Sequence, residues 1–272
     1  MSRISQTFAQ LAEQQRKAVV PYIVGGDPSP TATVPLLHAL VRAGANIIEI
    51  GVPFSDPMAE GPVIQLAHER ALRHRVSLRD VLHMVEVFRR DDHTTPIVLM
   101  GYANPVEYMG YTEFADAAAK AGVDGLLTVD MPPEEAGDLD RELKRVGIDN
   151  IFLLAPTTTE ARIRAIAELA SGYLYYVSLK GVTGAGNLDV ESVRVQMQRI
   201  QAITDLPVTV GFGIKDAASA QAVAPLADGV VIGSALVDRT IGLAQQGLQD
   251  LALVNGAAQL IAEIRAAVDA KI

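Results

Sequence analysis

Residues 96–130 read PIVLMGYANPVEYMGYTEFADAAAKAGVDGLLTVD, and this stretch decides the fold. It begins with an apolar run (PIVLMGY), continues through a helical pattern that ends at a glycine (TEFADAAAKAG), and returns to a second apolar run (GLLTVD). Runs that are apolar throughout, rather than at every second residue, are typical of parallel strands covered on both faces. A glycine after a periodic apolar face commonly ends a helix. The stretch therefore predicts two parallel strands joined by a helix.

The same alternation extends over the whole chain. Eight apolar runs recur, namely VVPYIV from Val19, NIIEIGV from Asn46, PIVLMGY from Pro96, GLLTVD from Gly125, NIFLLA from Asn150, YLYYVS from Tyr173, PVTVGF from Pro207 and GVVIGS from Gly229. Helical patterns separate them, with two patterns between residues 62 and 95, one before the first run and a long one at the end. This order predicts an α/β fold in one domain, residues 1–272: a (β/α)₈ or TIM barrel with an extra N-terminal helix. The alternative is an open doubly wound sheet, which usually has fewer strands, and no GxGxxG follows the first strand here.

Composition excludes several classes of function. The chain has 272 residues, a net charge of −9 and no cysteine, so a disulfide framework, a thiolate metal site and a cysteine nucleophile are excluded. No basic cluster suggests a nucleic-acid partner. The N-terminal segment has the pattern of a helix rather than of a secretory signal. We therefore expect a cytoplasmic protein that binds neither nucleic acid nor membrane.

Active sites of such barrels lie at the carboxyl ends of the strands. Glu49 lies within the apolar run NIIEIGV. An unpaired carboxylate there costs several kcal/mol, so it is kept for a reason. A buried salt bridge is the alternative to a catalytic role, and this strand offers no cation. Burial would raise the Glu49 pKa toward the range useful for proton transfer near neutral pH.

The loop that follows, GVPFSDPMAEGP, adds two acidic residues, Asp56 and Glu60. Each has an ordinary structural interpretation: Asp56 as a turn or cap residue, and Glu60 as a solvated charge at a helix start. The spacing alone does not decide between these interpretations and a role in the site.

Glycines follow three neighbouring strands, in GVTGAGN, GFGIKD and IGSAL. Glycine lets the backbone approach a ligand closely, and N–H groups at a helix start bind anions. Ser234 would begin a short phosphate-binding helix after strand eight. Turn glycines without a ligand are the alternative, but three such loops at adjacent strand ends favour a phosphorylated small-molecule substrate.

The five histidines, His38, His68, His74, His83 and His93, fall in or beside helical segments, and none belongs to a metal-ligand spacing such as HExxH. We expect surface histidines and no metal site.

In order along the chain, PYIVGGDP, EIGVPFSDPMAEGPVIQ, MGYANPV, SLKGVTGA, GFGI and GSAL resemble the tryptophan synthase α subunit family. The resemblance runs from the first helix to about residue 240, and the stretch around PFSDP and GPVIQ is its most specific part. It implies retro-aldol cleavage of indole-3-glycerol phosphate to indole and D-glyceraldehyde 3-phosphate.

The resemblance also implies residue roles. Glu49 would be the general acid–base, Glu60 would accept the indole N–H, and Tyr175 would line and order the site. Position 60 is usually Asp in the family, so the carboxylate is kept on a longer stem. The phosphate cradle would comprise Gly184, Gly213, Gly233 and Ser234. The indole pocket would comprise Tyr22, Met100, Leu127, Val129 and Phe212.

A partner is implied as well: a pyridoxal-phosphate β subunit in an α₂β₂ complex, which receives indole through a tunnel. Asp56 and Thr183 would lie on loops that close over the substrate. This chain itself would carry no cofactor. Three alternatives stay open: another phosphate-binding barrel enzyme such as a sugar-phosphate isomerase, a stand-alone indole-releasing lyase, and a regulatory subunit with little chemistry of its own.

Overall fold

The structure, a computed structural model, describes residues 2–178, 189–211 and 213–270. Eight parallel strands form a closed barrel in chain order, and β1 pairs with β8. The strands are β1 (Ala18–Val24), β2 (Ile48–Gly51), β3 (Ile97–Gly101), β4 (Gly125–Thr128), β5 (Asp149–Leu154), β6 (Leu174–Val177), β7 (Val208–Gly211) and β8 (Gly229–Ile232). Each coincides with one of the eight predicted runs, except that β1 and β5 begin one residue earlier. Closure of the sheet confirms the (β/α)₈ barrel and excludes the open doubly wound alternative.

Helices surround the barrel. They are α1 (Arg3–Glu13), α2 (Pro30–Arg42), α3 (Pro62–Arg73), α4 (Leu78–Phe88), α5 (Ala103–Met109), α6 (Tyr111–Ala121), α7 (Gly137–Val146), α8 (Glu160–Leu169), α9 (Val190–Gln201), α10 (Ala217–Val223), α11 (Ser234–Gln245) and α12 (Asp250–Asp269), with a 3₁₀ turn at Ala224–Leu226. The predicted pair of helices between residues 62 and 95 is confirmed as α3 and α4. The helix after β8 begins at Ser234 as predicted, but it is not short, since it has 12 residues.

The predicted helix stops are glycines in the left-handed conformation. α6 ends at Gly122, with φ 87°, and α7 ends at Gly147, with φ 77°. A residue with a Cβ atom rarely adopts this conformation, so the glycine stops the helix and turns the chain toward the next strand.

The extra N-terminal helix covers the amino end of the barrel. α1 buries Ile4, Phe8 and Leu11. The Phe8 ring lies 5.8 Å from the ring of Tyr173, centroid to centroid. The lumen is therefore closed at this end by apolar side chains, and access to it is left to the carboxyl ends of the strands.

The last helix is the most apolar long element. By length and composition alone, α12 could cross a membrane, which the sequence analysis did not anticipate. Its apolar residues include Val254, Ala257 and Ile261, which are buried as α12 packs against α2, α10 and α11. This burial is typical of a core helix in a globular protein.

A buried ion cluster fastens α1 and α4 to the sheet. Asp124 accepts hydrogen bonds from Arg3 and from Arg89, each at 2.7 Å, and from the Ile97 N–H at 2.8 Å. Arg89 and Asp124 are both nearly inaccessible to water. Removing one member of such a pair leaves the other charge buried and unpaired.

We therefore expect Asp124→Ala to lower the free energy of unfolding by about 3–5 kcal/mol, as measured by urea denaturation. The matched control is Asp138→Ala, which removes an exposed ion pair with Arg141 of similar length, 2.8 Å. Solvent already screens that pair, so a much smaller loss is expected. Equal losses in the two variants would contradict this account.

Candidate active site

The central acidic residue of the lumen is Glu49 on β2. Glu49 pairs in register with Tyr22 of β1 and Val98 of β3, and its side chain is fully buried. The Tyr173 hydroxyl donates a hydrogen bond to Glu49 Oε1 at 2.6 Å. Glu49 Oε2 has no hydrogen-bond partner among the described residues. Within that part of the chain no cation pairs with Glu49, so the buried salt bridge considered as its structural interpretation is not found.

Burial sets the protonation state of Glu49. Removal from water raises the Glu49 pKa to about 8, the Tyr173 hydrogen bond opposes this shift, and the charge of Glu60 adds to it. A carboxyl group with this pKa is mostly protonated at neutral pH. Glu49 can therefore deliver a proton near neutral pH and take it back, as a general acid–base requires.

Glu60 lies in the irregular loop between β2 and α3, two residues before α3 begins. It is half-buried, and burial raises its pKa to about 7. Its charge also raises the pKa of Tyr22 and of Tyr175. The loop therefore returns this second carboxyl group to the same end of the lumen as Glu49.

Two tyrosines and two glycines fit together in the lumen. A Cβ atom on Gly51 would lie 2.2 Å from Tyr22 Oη, and one on Gly211 would lie 2.0 Å from Tyr175 Oη. Real Cβ atoms do not approach other atoms so closely, so the tyrosines occupy space that the glycines leave. Tyr22 and Tyr175 are nearly fully buried, and burial raises the pKa of both hydroxyls. Both hydroxyls stay protonated and can donate hydrogen bonds.

The other predicted pocket residues surround this end of the lumen. Met100 of β3 pairs with Gly51 and with Leu127 of β4, and both Met100 and Leu127 are buried. Val129 directly follows β4 and packs against the core. Phe212 lies outside the described residues.

The predicted phosphate residues follow neighbouring strands. Gly213 comes after β7 with φ 79° and is exposed, while Gly233 comes between β8 and α11. Ser234 is the exposed first residue of α11, and N–H groups in a first helical turn have no partner within the helix. Such N–H groups and flanking glycines can bind a phosphate. Gly184 lies outside the described residues.

Of the two predicted closure residues, the structure describes Asp56. Asp56 is exposed in the β2–α3 loop, and its carboxylate accepts a hydrogen bond from the Ser55 hydroxyl at 2.5 Å. It makes no contact with the lumen carboxyl groups that would give it a chemical role. Thr183 lies outside the described residues.

Three further residues of the site region escaped the sequence analysis. Tyr173 lies two residues before Tyr175, and strand alternation puts both side chains on one face. This spacing is the sequence signal that could have indicated Tyr173 as a site residue. The Tyr102 hydroxyl accepts a hydrogen bond from the Ala59 N–H at 3.1 Å. His68 was expected on the surface, and that expectation was wrong: His68 is 2% exposed and its Nδ1 accepts a hydrogen bond from the Phe54 N–H.

Among the described residues, no group of three or more His, Cys, Asp or Glu side chains could hold a metal ion. The arrangement that the structure does contain is a pair of carboxyl groups with raised pKa values, Glu49 inside the lumen and Glu60 on the loop after β2.

Comparison with known proteins identifies the family of the chain and agrees with the barrel fold. The family model described as tryptophan synthase alpha chain matches residues 8–265. A tryptophan synthase alpha chain from Thioalkalivibrio sulfidiphilus is 60% identical over 269 residues, which cover 99% of this chain and 100% of the relative. Tryptophan synthase subunit alpha from Legionella pneumophila has a crystal structure with a TM-score of 0.92, at 44% identity, and 99% of each chain is covered. A crystal structure of tryptophan synthase from M. tuberculosis, in an aminoacrylate-bound form, matches with a TM-score of 0.86 at 35% identity, covering 98% of this chain and 100% of that chain.

The raised pKa of Glu49 has a consequence for stability. The unfolded chain loses this proton near pH 4.5, whereas the folded chain keeps it until about pH 8. Between those values the folded state binds more protons, so stability falls as pH rises. We expect the wild type to lose stability relative to Glu49→Gln over this window, by up to about 1.4 kcal/mol per pH unit.

The measurement is urea denaturation of both proteins at several pH values from 5 to 8.5. Parallel stability curves would show that Glu49 titrates alike in the folded and unfolded states and would contradict the assigned pKa.

Proposed function

The chain belongs to the tryptophan synthase alpha chain family, and from that membership we propose which of its residues perform each part of the reaction. The reaction is the carbon–carbon lyase step that cleaves indole-3-glycerol phosphate into indole and D-glyceraldehyde 3-phosphate. In this step the bond between indole C3 and the side chain breaks, C3 gains a proton, and the side-chain hydroxyl loses one as it becomes an aldehyde.

Glu49 is the proposed general acid–base. The observation that carries this role is a fully buried carboxyl group with a pKa of about 8 at the closed centre of the lumen. Near neutral pH it holds the proton that C3 needs, and the resulting carboxylate can accept the hydroxyl proton. Tyr173 positions Glu49 through its hydrogen bond to Oε1.

Glu60 is the proposed acceptor for the indole N–H. Protonation at C3 puts positive charge on the ring, and a carboxylate beside the ring nitrogen would stabilise that charge. A pKa of about 7 leaves Glu60 ionised in a large fraction of molecules at neutral pH. Tyr175 is proposed to order the site, because its buried hydroxyl lies within electrostatic reach of both carboxyl groups.

Substrate binding is assigned to two further groups. Tyr22, Met100, Leu127 and Val129, with Phe212, would pack against the flat indole ring, since apolar and aromatic side chains suit it. Gly213, Gly233 and Ser234, with Gly184, would hold the phosphate through backbone N–H groups at the start of α11. Asp56 and Thr183 would help to close the loops over the bound substrate.

Membership of the family implies a β-subunit partner. We propose an α₂β₂ complex in which pyridoxal phosphate belongs to the partner and this chain carries no cofactor. Two large side chains at the carboxyl side of the barrel support a docking face there: Met58, 79% exposed in the β2–α3 loop, and Tyr108, 93% exposed on α5. Exposed apolar side chains mark a protein–protein contact where they form one contiguous patch.

We further propose that residues 1–272 form a single domain, because α1 and α12 both pack on the one barrel. A cytoplasmic location is proposed because the substrate carries a charged phosphate, which crosses a bilayer poorly, so that the enzyme must share a compartment with it.

The test of the function is indole release from indole-3-glycerol phosphate by the purified chain, with and without a tryptophan synthase β subunit. We expect slow cleavage that the β subunit accelerates, and a loss of at least about 100-fold in kcat for Glu49→Gln. Glu69→Gln, at an exposed carboxylate on α3, is the matched control and should keep full activity. Fast cleavage that the β subunit does not change would indicate a stand-alone lyase, and silence in both conditions would refute the lyase assignment.

Glu60 is tested separately. Glu60→Gln keeps the size of the side chain but loses the negative charge, so kcat should fall sharply, by about 10- to 1,000-fold. Steady-state kinetics of indole release with the β subunit present would measure it. A kcat close to that of the wild type would remove Glu60 from the mechanism.

A further inference from the structure

The loop between β2 and α3 has no regular structure, yet it must hold the Glu60 carboxyl group in place. A hydrogen bond to the helix α3 fixes the start of this loop. The Phe54 N–H donates a hydrogen bond of 3.0 Å to Nδ1 of His68, a residue on the next helix, α3. His68 is 2% exposed, so water does not compete for this bond.

The state of the imidazole follows from its surroundings. Burial lowers the His68 pKa to about 4, so the ring is neutral at neutral pH. A neutral ring that accepts at Nδ1 carries its proton on Nε2. Nε2 has no hydrogen-bond partner among the described residues. A buried N–H without a partner is unfavourable, and a leucine at this position would avoid that cost. The useful atom of His68 is therefore the acceptor Nδ1.

The end of the loop is fastened in the same way. The Ala59 N–H, next to Glu60, donates to the Tyr102 hydroxyl at 3.1 Å, and the Gln65 side chain donates to the Glu60 carbonyl oxygen at 2.8 Å. The Tyr102 ring also stacks on Phe54, with centroids 5.0 Å apart. His68 and Tyr102 thus hold the two ends of the loop, and the Phe54–Tyr102 ring contact joins the two fastenings.

We propose that His68 is a positioning residue for Glu60: its neutral Nδ1 fixes the start of the loop through the Phe54 N–H and so sets where the Glu60 carboxylate meets the indole N–H. This inference rests on the proposed role of Glu60. His68 itself touches no reacting atom. Loss of the fastening lets the carboxylate shift, and small misplacements of catalytic groups cost large factors in rate.

Two substitutions of His68 distinguish a role in positioning Glu60 from a role in packing the core. His68→Leu fills the buried space but leaves the Phe54 N–H without an acceptor. His68→Asn offers its side-chain oxygen near the place of Nδ1. We expect His68→Leu to lower kcat about tenfold, with little change in KM, and His68→Asn to stay within about threefold of the wild type. His83→Leu, at an exposed histidine on α4, is the control.

The readouts are steady-state kinetics of indole release with the β subunit present, and thermal unfolding of each variant. Glu60→Gln and the double variant His68→Leu/Glu60→Gln complete the set. Because His68 acts through Glu60, the double variant should be no slower than Glu60→Gln alone.

Equal kcat values for the Leu and Asn variants, or a fall in thermal stability without a fall in kcat, would overturn the inference while leaving the role of Glu60 intact. A further loss in the double variant would overturn it too. If Glu60→Gln alone kept full activity, the proposed role of Glu60 would fail, and the inference with it.

Discussion

The Tyr173 hydroxyl donates a 2.6 Å hydrogen bond to a glutamic acid that strand β2 holds in the closed lumen of the barrel. A carboxylate in such surroundings is strongly disfavoured, and the protonated acid is the form that the lumen tolerates. The neighbouring structure is arranged around this constraint. Phe8 of α1 packs against the ring of Tyr173 and covers the amino end of the lumen, so the helix added before the barrel also secures the partner of Glu49.

Room for a substrate depends on the same strands. Tyr22 and Tyr175 reach over Gly51 and Gly211, where no Cβ atom would fit. Large side chains thus occupy the lumen at these levels, and Met100, at the same register level as Gly51, lies on the neighbouring strand β3. The proposed indole pocket thus combines buried apolar side chains with the carboxyl groups of Glu49 and Glu60.

The barrel could be predicted from the sequence because its signals are local. Apolar runs, helical periods and glycine stops such as Gly122 each depend on a few neighbouring residues. Glu49 could be predicted for the same reason, as a charge inside an apolar run. Tyr102 and His68 could not, because their importance comes from contacts with other segments of the chain. Strand alternation puts Tyr173 on the same face as Tyr175, but it does not reveal the hydrogen bond to Glu49. The packing of α3 decides which of its sides faces the barrel. His68 lies on that side and is buried, although the sequence suggested that it was on the surface. The roles of all the site residues stay predictions, and Thr183, Gly184 and Phe212 also lie outside the described residues.

The two acidic residues are held in different ways, Glu49 by a strand of the barrel and Glu60 by a loop. Glu49 is fixed by a strand paired on both sides, so a change in the length of its side chain would move the carboxyl group through a packed lumen. Glu60 is carried by a loop that is fastened at Phe54 and Ala59 but is irregular between them. The proposed proton-transfer group is thus held by backbone pairing of its strand, and the proposed partner of the ring nitrogen is held by side-chain hydrogen bonds at the two ends of its loop.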